Sequence, residues 1–251
     1  MINLLNFTDK QILIAGASTG IGKDTAILLS KLGAKLILLD INEDGLKEVS
    51  NSLEGSEHHY CRYDLSDLDG IEPQIKNIVS TYGALDGFVH CVGVRSRRPV
   101  SMLTPDIIRE VLNINFGSFV ELIRCITKKN HFNVGLSIVG ISSISSQRGG
   151  PSVTAYAASK GAMDSAVRCL AKELATKKIR VNTVVPAQIN TPAFTDLIKN
   201  SENGVDATLS RQYLGLGDTI DVASVIAFLL SDSSKFITGA AIPVDGGFLS
   251  S

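Results

Sequence analysis

The chain has 251 residues, 44% of them hydrophobic, with 22 glycines and no tryptophan; that length suits one large α/β domain or two small ones and is ample for a buried core. Lys+Arg total 24 against Asp+Glu 25, a net charge of −1, so no global basic excess points to nucleic acid and no acidic excess to a disordered chain. No uninterrupted apolar stretch approaches the ~20 residues that a membrane helix needs.

The start, Met1-Ile2-Asn3-Leu4-Leu5-Asn6-Phe7, lacks the basic region and long apolar core of a secretory leader. The cysteines, Cys61, Cys91, Cys125 and Cys169, form no C-x-x-C pair, which fits neither a zinc knuckle nor a disulfide framework. Cys91 ends an apolar run and reads as a core thiol. His58 and His59 are adjacent, so on a strand they would point to opposite faces, and no metal site is expected. A soluble, reducing, cytoplasmic setting is the expectation.

Short apolar runs alternate with longer amphipathic segments along the chain. The runs are Gln11–Ala15, Lys35–Leu39, His59–Tyr63, Gly87–Cys91, Leu136–Ile141, Arg180–Val185 and Ala240–Val244. Helical patterns cover Ile21–Leu32, Glu43–Leu53, Leu68–Tyr82, Pro105–Lys129, Thr154–Thr176 and Asp221–Leu230. Such alternation predicts parallel βαβ units in a doubly wound, Rossmann-like α/β sheet of about seven strands with helices on both faces. Near-continuous apolar runs such as Lys35-Leu-Ile-Leu-Leu39 fit strands covered on both sides. With no polar linker or internal repeat, residues 1–251 read as one domain. Residues 188–217 break the pattern with Asn200-Ser201-Glu202-Asn203-Gly204 and Gly215-Leu216-Gly217. An irregular segment of that length reads as a substrate lid, the alternative being a surface excursion with one short helix.

The first run leads straight into Gly16-Ala17-Ser18-Thr19-Gly20-Ile21-Gly22 and then a helix. Glycines there allow a tight turn and close approach of a pyrophosphate, while the helix start offers free N–H groups. Asp40 ends the second run, placed to bond adenosine ribose hydroxyls and repel a 2′-phosphate. Ser18, Thr19 and Ile41 supply no counter-charge, so NAD(H) is favoured over NADP(H), which stays open. Asp40 also reads as a cap of the next helix, with Asn42 nearby. Asp64, after the third run, is placed to meet the adenine edge.

Tyr156 and Lys160 stand at i and i+4 of a predicted helix, on one face, with Ser143 upstream. A free tyrosine has a pKa of about 10, and a neighbouring ammonium favours the phenolate. That pairing makes a general acid/base device, although the spacing alone also fits an ordinary helix surface pair.

Taken together, these pieces resemble the compact, single-domain branch of the short-chain dehydrogenases/reductases. The resemblance rests on Gly16–Gly22, Asp64-Leu65, Asn113-Ile-Asn115, Ile141-Ser142-Ser143, Tyr156-x-x-x-Lys160, Arg180-Val181-Asn182, Ile189-x-Thr191-Pro192, Ile237-Thr238-Gly239 and Val244-Asp245-Gly246-Gly247. It implies NAD(P)-dependent interconversion of a carbonyl and a secondary alcohol. Tyr156 would exchange the proton, Lys160 would lower its pKa and bind the nicotinamide ribose, and Ser143 would hydrogen-bond the carbonyl. Asn115 would hold a water linking Lys160 to solvent. Gly93, Pro186, Ile189 and Thr191 would join Leu65 and the glycine turn around the cofactor, the last two residues named before Leu65 against the carboxamide.

Three positions depart from the family pattern: Ala15 for a threonine, His90-Cys91-Val92-Gly93 for Asn-Asn-Ala-Gly, and Pro186-Ala187 for Pro-Gly. Arg95, Arg97, Arg98 and Arg148 fall in segments that border the substrate by resemblance, and an arginine fork suits carboxylate or phosphate. A keto or hydroxy acid, a sugar or sugar acid, or a phosphate-bearing or carrier-bound group fits them; a solvated loop or a subunit contact fits as well. The rivals are a 3-oxoacyl-carrier-protein reductase, a family group that mostly uses NADPH, a nucleotide-sugar epimerase or dehydratase, and a non-catalytic nucleotide-binding scaffold. The family further implies a homotetramer or homodimer, with Pro105–Lys129 and Thr154–Thr176 pairing across one interface and the tail near Phe248 joining another.

Overall fold

Every predicted apolar run is a strand in a computed structural model that describes residues 5–192, 194–195 and 209–250. The strands are β1 (Gln11–Ala15), β2 (Lys35–Asp40), β3 (His59–Arg62), β4 (Leu85–His90), β5 (Phe132–Ile141), β6 (Arg180–Pro186), β7 (Ile189–Asn190), β8 (Gly217–Asp218) and β9 (Ala241–Val244). Seven form one parallel sheet in the order β3-β2-β1-β4-β5-β6-β9, and β7 pairs only with β8. The order reverses between β1 and β4, where Ile12 pairs Gly87 and Ala15 pairs His90. Crevices for ligands open at the carboxyl ends of strands at such a reversal.

The helices are α1 (Gly20–Lys31), α2 (Glu43–Asn51), α3 (Ile71–Tyr82), α4 (Pro105–Leu112), α5 (Ser118–Ile126), α6 (Thr154–Leu174) and α7 (Thr219–Leu230). Local chemistry sets several starts. The Asn42 side chain accepts the Gly45 N–H at the head of α2, and Thr104 accepts the Ile107 N–H before Pro105 at α4, as capping requires. One sheet face buries Ile75, Ile78, Phe119, Leu122, Met163 and Val167 from α3, α5 and α6. The other buries Ala26, Leu29, Leu46, Val49, Val222 and Ile226 from α1, α2 and α7. The strands lie between two cores, which is why they read as unbroken apolar runs. No helix among the described residues is long and apolar enough to cross a membrane.

The predicted helix Pro105–Lys129 is interrupted. A wide π turn, Asn113–Gly117, separates α4 from α5, and α5 ends at Ile126 before Asn130 turns the chain with φ 67°. The sixth helix ends as a tighter turn over Ala175–Lys177. Strand β5 starts at Phe132 rather than Leu136, because its first residues are exposed, Val134 at 82%, and carry no apolar run. Nearly half of the predicted lid, residues 193 and 196–208, lies outside the described residues. Its base is described. Gln212, buried, accepts the Gln188 N–H at 2.8 Å and donates to the Gln188 and Gly215 carbonyls, next to the β7–β8 pair.

Candidate active site

The glycine turn links the end of β1 to the start of α1 and is packed against the chain on both sides. Gly16 has φ 81°, and a Cβ there would lie 2.9 Å from the Cys91 carbonyl carbon; one on Gly22 would lie 1.9 Å from the Gly16 oxygen. Only glycine permits both the conformation and the approach. Thr19 makes no side-chain cap, so the first N–H groups of α1 face the cleft uncapped by it. Asp40 fixes the turn from the neighbouring strand: Oδ2 accepts the Ser18 N–H at 3.1 Å and Oδ1 the Asn42 N–H at 3.0 Å. The cap of α2 is therefore Asn42 rather than Asp40, which holds the Asn42 N–H and lines the cleft.

That cleft has a volume of about 500 Å3 and runs from Gly16–Gly22 past Asp40, Asp64 and Leu65 to Tyr156 and Lys160. Ser18, Thr19, Ile21, Gly93, Pro186, Ile189 and Thr191 complete its wall, so every residue expected around a cofactor lines this one space. Thr191 closes over the turn, its Cγ2 within 3.5 Å of where a Gly20 Cβ would stand. Asp64 is held by its own turn, Oδ1 accepting the Ser66 N–H at 2.9 Å. An extended dinucleotide fits this donor set: free helix N–H groups at one point, carboxylates at one end and a cation at the other. Cys91 is corrected from core thiol to half-buried cleft wall. Burial still pushes its thiol up to about 12, despite the nearby Lys160 charge, so it is a poor nucleophile near neutrality.

Tyr156 and Lys160 lie on the first turns of α6, 9% and 2% exposed. The Lys160 Nζ donates to the Ile141 carbonyl at the end of β5 at 2.7 Å and lies 6.0 Å from the Tyr156 ring centre. On the other side the Arg95 guanidinium lies 5.2 Å from the same ring centre. Burial by itself would raise the phenol pKa; the charges of Lys160 and Arg95 and hydrogen bonds from Ser143 and Arg95 outweigh it, and the pKa is lowered. Burial lowers that of Lys160, with Tyr156, Cys91 and Asp164 opposing. Ser143, buried at the end of β5, also accepts the Ser145 N–H at 3.2 Å.

Asn115 sits in the π turn, fully buried. Its Oδ1 accepts the Val94 N–H at 2.7 Å, and its Nδ2 donates to the Val94 carbonyl and to Ser159 Oγ, both at 2.9 Å. The side chain therefore ties the segment after β4 to α6, rather than standing open to water. His90, in place of the family asparagine, is also buried and faces Ser118 Oγ at 2.9 Å through Nε2. Since Ser118 donates its proton to the Ile114 carbonyl at 2.6 Å, Nε2 carries the histidine proton and the unpartnered Nδ1 is a bare lone pair.

The arginines divide. Arg95 lines the cleft and, with Arg97 and Arg148, an adjoining cavity of about 640 Å3. Arg98 does not line that cavity: its backbone N–H donates to the Ser152 carbonyl at 2.8 Å, and with Arg95 and Arg97 it borders a third space that also holds Glu110. Arg211, missed in the sequence because it falls inside the irregular segment, takes the fourth place in the adjoining cavity. Phe248 is buried against Ile144 and Val185 beneath the Arg148 guanidinium, 5.4 Å away, and lines the adjoining cavity. Away from the cleft, Glu72, Glu121 and Cys125 gather potential metal-ligand atoms, but Arg124 and Lys128 already neutralise those carboxylates.

Comparison with known proteins places this geometry. A family model described as enoyl-(acyl carrier protein) reductase matches residues 16–249. The 3-oxoacyl-(acyl-carrier-protein) reductase of Thermotoga maritima is 34% identical over 243 residues, covering 96% of this chain and 98% of its own. L-xylulose reductase of Caenorhabditis elegans is 32% identical over 251 residues, 97% of each. Among solved structures, a short-chain dehydrogenase/reductase of the glucose/ribitol dehydrogenase type from Brucella melitensis superposes with a TM-score of 0.89 at 32% identity, covering 97% of this chain and 98% of the other. Levodione reductase superposes with a TM-score of 0.90 at 27% identity, over 98% and 100%. With its parallel sheet, its cleft and these relatives in agreement, the chain belongs to the short-chain dehydrogenase/reductase family, oxidoreductases that interconvert carbonyls and alcohols with NAD(P).

Proposed function

We propose that Ser143, Tyr156 and Lys160 carry the chemistry and that Asn115 positions them, with NAD(H) as the preferred cofactor. The observation that carries this reading is the buried phenol flanked by Lys160 and Arg95 in the cleft that also holds the glycine turn. The turn Gly16–Gly22 and the start of α1 would hold the pyrophosphate, Asp40 the adenosine ribose, Asp64 and Leu65 the adenine. Gly93, Pro186, Ile189 and Thr191 would wall the nicotinamide, whose ring supplies or takes up the hydride. Ser143 Oγ hydrogen-bonds the reacting oxygen, and the Tyr156 hydroxyl gives it a proton in reduction or removes one in oxidation. Lys160 and Arg95 stabilise the phenolate left behind. Asn115 fixes Val94 and Ser159, which keeps Gly93 beside the Lys160 Nζ.

The preference for NAD(H) rests on Asp40, and on Ile41, 53% exposed, where a cation would otherwise meet a 2′-phosphate. One observation favours NADP(H) as a second reading: Arg62 donates its Nε to the Ile41 carbonyl at 3.2 Å, bringing a cation to the adenosine end. A panel of ketones and secondary alcohols run with both cofactors decides. Expected is kcat/KM at least about tenfold higher with NAD(H), a 1.4 kcal/mol preference; faster turnover with NADP(H) overturns the preference. Tyr156→Phe should keep cofactor binding while kcat falls roughly 100- to 10,000-fold. A silent scaffold would show no wild-type turnover to lose.

We also infer that residues 188–217 form a substrate lid hinged at Gln188 and Gln212, supported by the paired ends of that segment. Gln212→Ala, which removes the hinge bonds, should raise KM more than it lowers kcat. A cytoplasmic homodimer or homotetramer completes the reading, supported by apolar side chains exposed on and before α4, Val100, Met102 and Ile108. Light scattering reads the assembly directly; a monomer at micromolar concentration would remove it.

A further inference from the structure

The cavity beside the cleft is built unlike the rest of the surface. Four of the chain's ten arginines line it, Arg95, Arg97, Arg148 and Arg211, with no lysine and no carboxylate among its described walls. The whole chain carries Lys+Arg 24 against Asp+Glu 25, so this imbalance is local. Among exposed arginines elsewhere, Arg109 is paired with Asp106 and Arg124 with Glu72 and Glu121, while Arg62 and Arg168 stand singly and Arg98 borders the third space. Arg97 and Arg211 make no ion pair with a described residue. The Arg148 guanidinium lies over the Phe248 ring at 5.4 Å, a contact that orients its planar fork.

Position links this charge to the reaction. Arg95 and Gln188 line both the cleft and the cavity. The cavity wall begins at Ile144 and Ser145, directly after Ser143, and neighbouring Cα atoms are about 3.8 Å apart. A substrate whose carbonyl lies between Ser143 and Tyr156 therefore extends naturally into the arginine-lined space.

We propose that this cavity is a subsite for the anionic end of the substrate, a carboxylate or a phosphate borne by the carbonyl compound. The inference rests on the placement of the reacting carbonyl at Ser143 and Tyr156. Arginine, with parallel N–H donors, matches the paired oxygens of either anion better than lysine does. The charge asymmetry serves selection: a neutral analogue leaves the guanidinium groups without the counter-charge they face in the bound anion.

The test sets each anion against its neutral twin, levulinate against methyl levulinate and dihydroxyacetone phosphate against dihydroxyacetone. Calorimetry on the NAD-loaded protein reads ketone binding where no turnover can occur, and the reduced-nicotinamide absorbance reads reduction separately with NADH. At least one anion should bind about tenfold or more tightly than its twin, and the pair that shows it tells carboxylate from phosphate. In Arg97→Gln and Arg211→Gln that ratio should drop toward one, with Tm unchanged at these exposed positions. Equal affinity of twins in both wild-type pairs overturns the inference, as does a ratio that neither variant alters. Tight anion binding with no reduction of any of the four compounds supports the subsite and counts against the catalytic reading, so the two failures are distinct.

Discussion

Tyr156 receives its acidity from two cations that reach it by different routes. Lys160 comes from the next turn of the same helix, a relation visible as i and i+4. Arg95 comes from the segment after β4 and stands 5.2 Å from the ring centre, a contact that no spacing rule displays. The phenol is buried, which alone would raise its pKa, yet the two charges and the hydrogen bonds from Ser143 and Arg95 bring it down. With Tyr156 as the proposed acid/base, the phenolate would be the active form in alcohol oxidation, so the rate should climb as pH rises through this lowered pKa; in carbonyl reduction it should decline over the same range. Arg95→Gln removes one of the two cations and should move both midpoints to higher pH. The pH profile of kcat/KM measures it, and an unmoved midpoint would assign the whole effect to Lys160.

At the scale of elements, the helix between β4 and β5 shows what pattern reading resolves and what it misses. The amphipathic run from Pro105 was legible because its apolar residues recur at helical spacing. The π turn Asn113–Gly117 was not, since one widened turn leaves that spacing almost unchanged. Its consequence is large: it carries Asn115, whose amide satisfies both backbone groups of Val94. Asn115→Ala leaves these partners unmet, at about 1–3 kcal/mol for each buried group. Denaturant titration should show a stability loss of about 2 kcal/mol or more, and a loss below about 0.5 kcal/mol would mean the loop finds other partners. The two-residue strands β7 and β8 escaped for a simpler reason: two residues have no periodicity. Arg211 escaped because only the tertiary fold brings the end of the irregular segment alongside Arg97 and Arg148.

For the molecule as a whole, the parallel sheet of about seven strands and its two-sided burial were legible, because parallel strands covered on both faces must be apolar, whereas the strand order of that sheet was not. Stability against acid was not legible, since it depends on how deeply one side chain is enclosed. His90 is fully buried, and burial, aided by the Lys160 charge, lowers its pKa from 6.5 to about 3. The unfolded chain therefore binds a proton that the native one refuses. The stability of the neutral form is fully present above pH 6.5 and is lost progressively as pH falls toward about 3, at up to about 1.4 kcal/mol per pH unit from this group. His90→Asn should flatten the fall between pH 7 and pH 5, about two units and up to ~2 kcal/mol, read as denaturant midpoints. Parallel curves for both proteins would place the acid sensitivity elsewhere.

Arg95 belongs to two compartments at once, standing beside the phenol and in the wall of the arginine-lined cavity. An anion seated against it offsets its field, so Tyr156 feels one cation less and grips its proton more firmly. Arrival of a charged ketone would thereby keep the donor protonated just when reduction requires it; the proton then leaves with the alcohol, and once the product departs Arg95 again favours the phenolate. Substrate occupancy and protonation would then rise and fall together, a gate made of charge instead of moving parts.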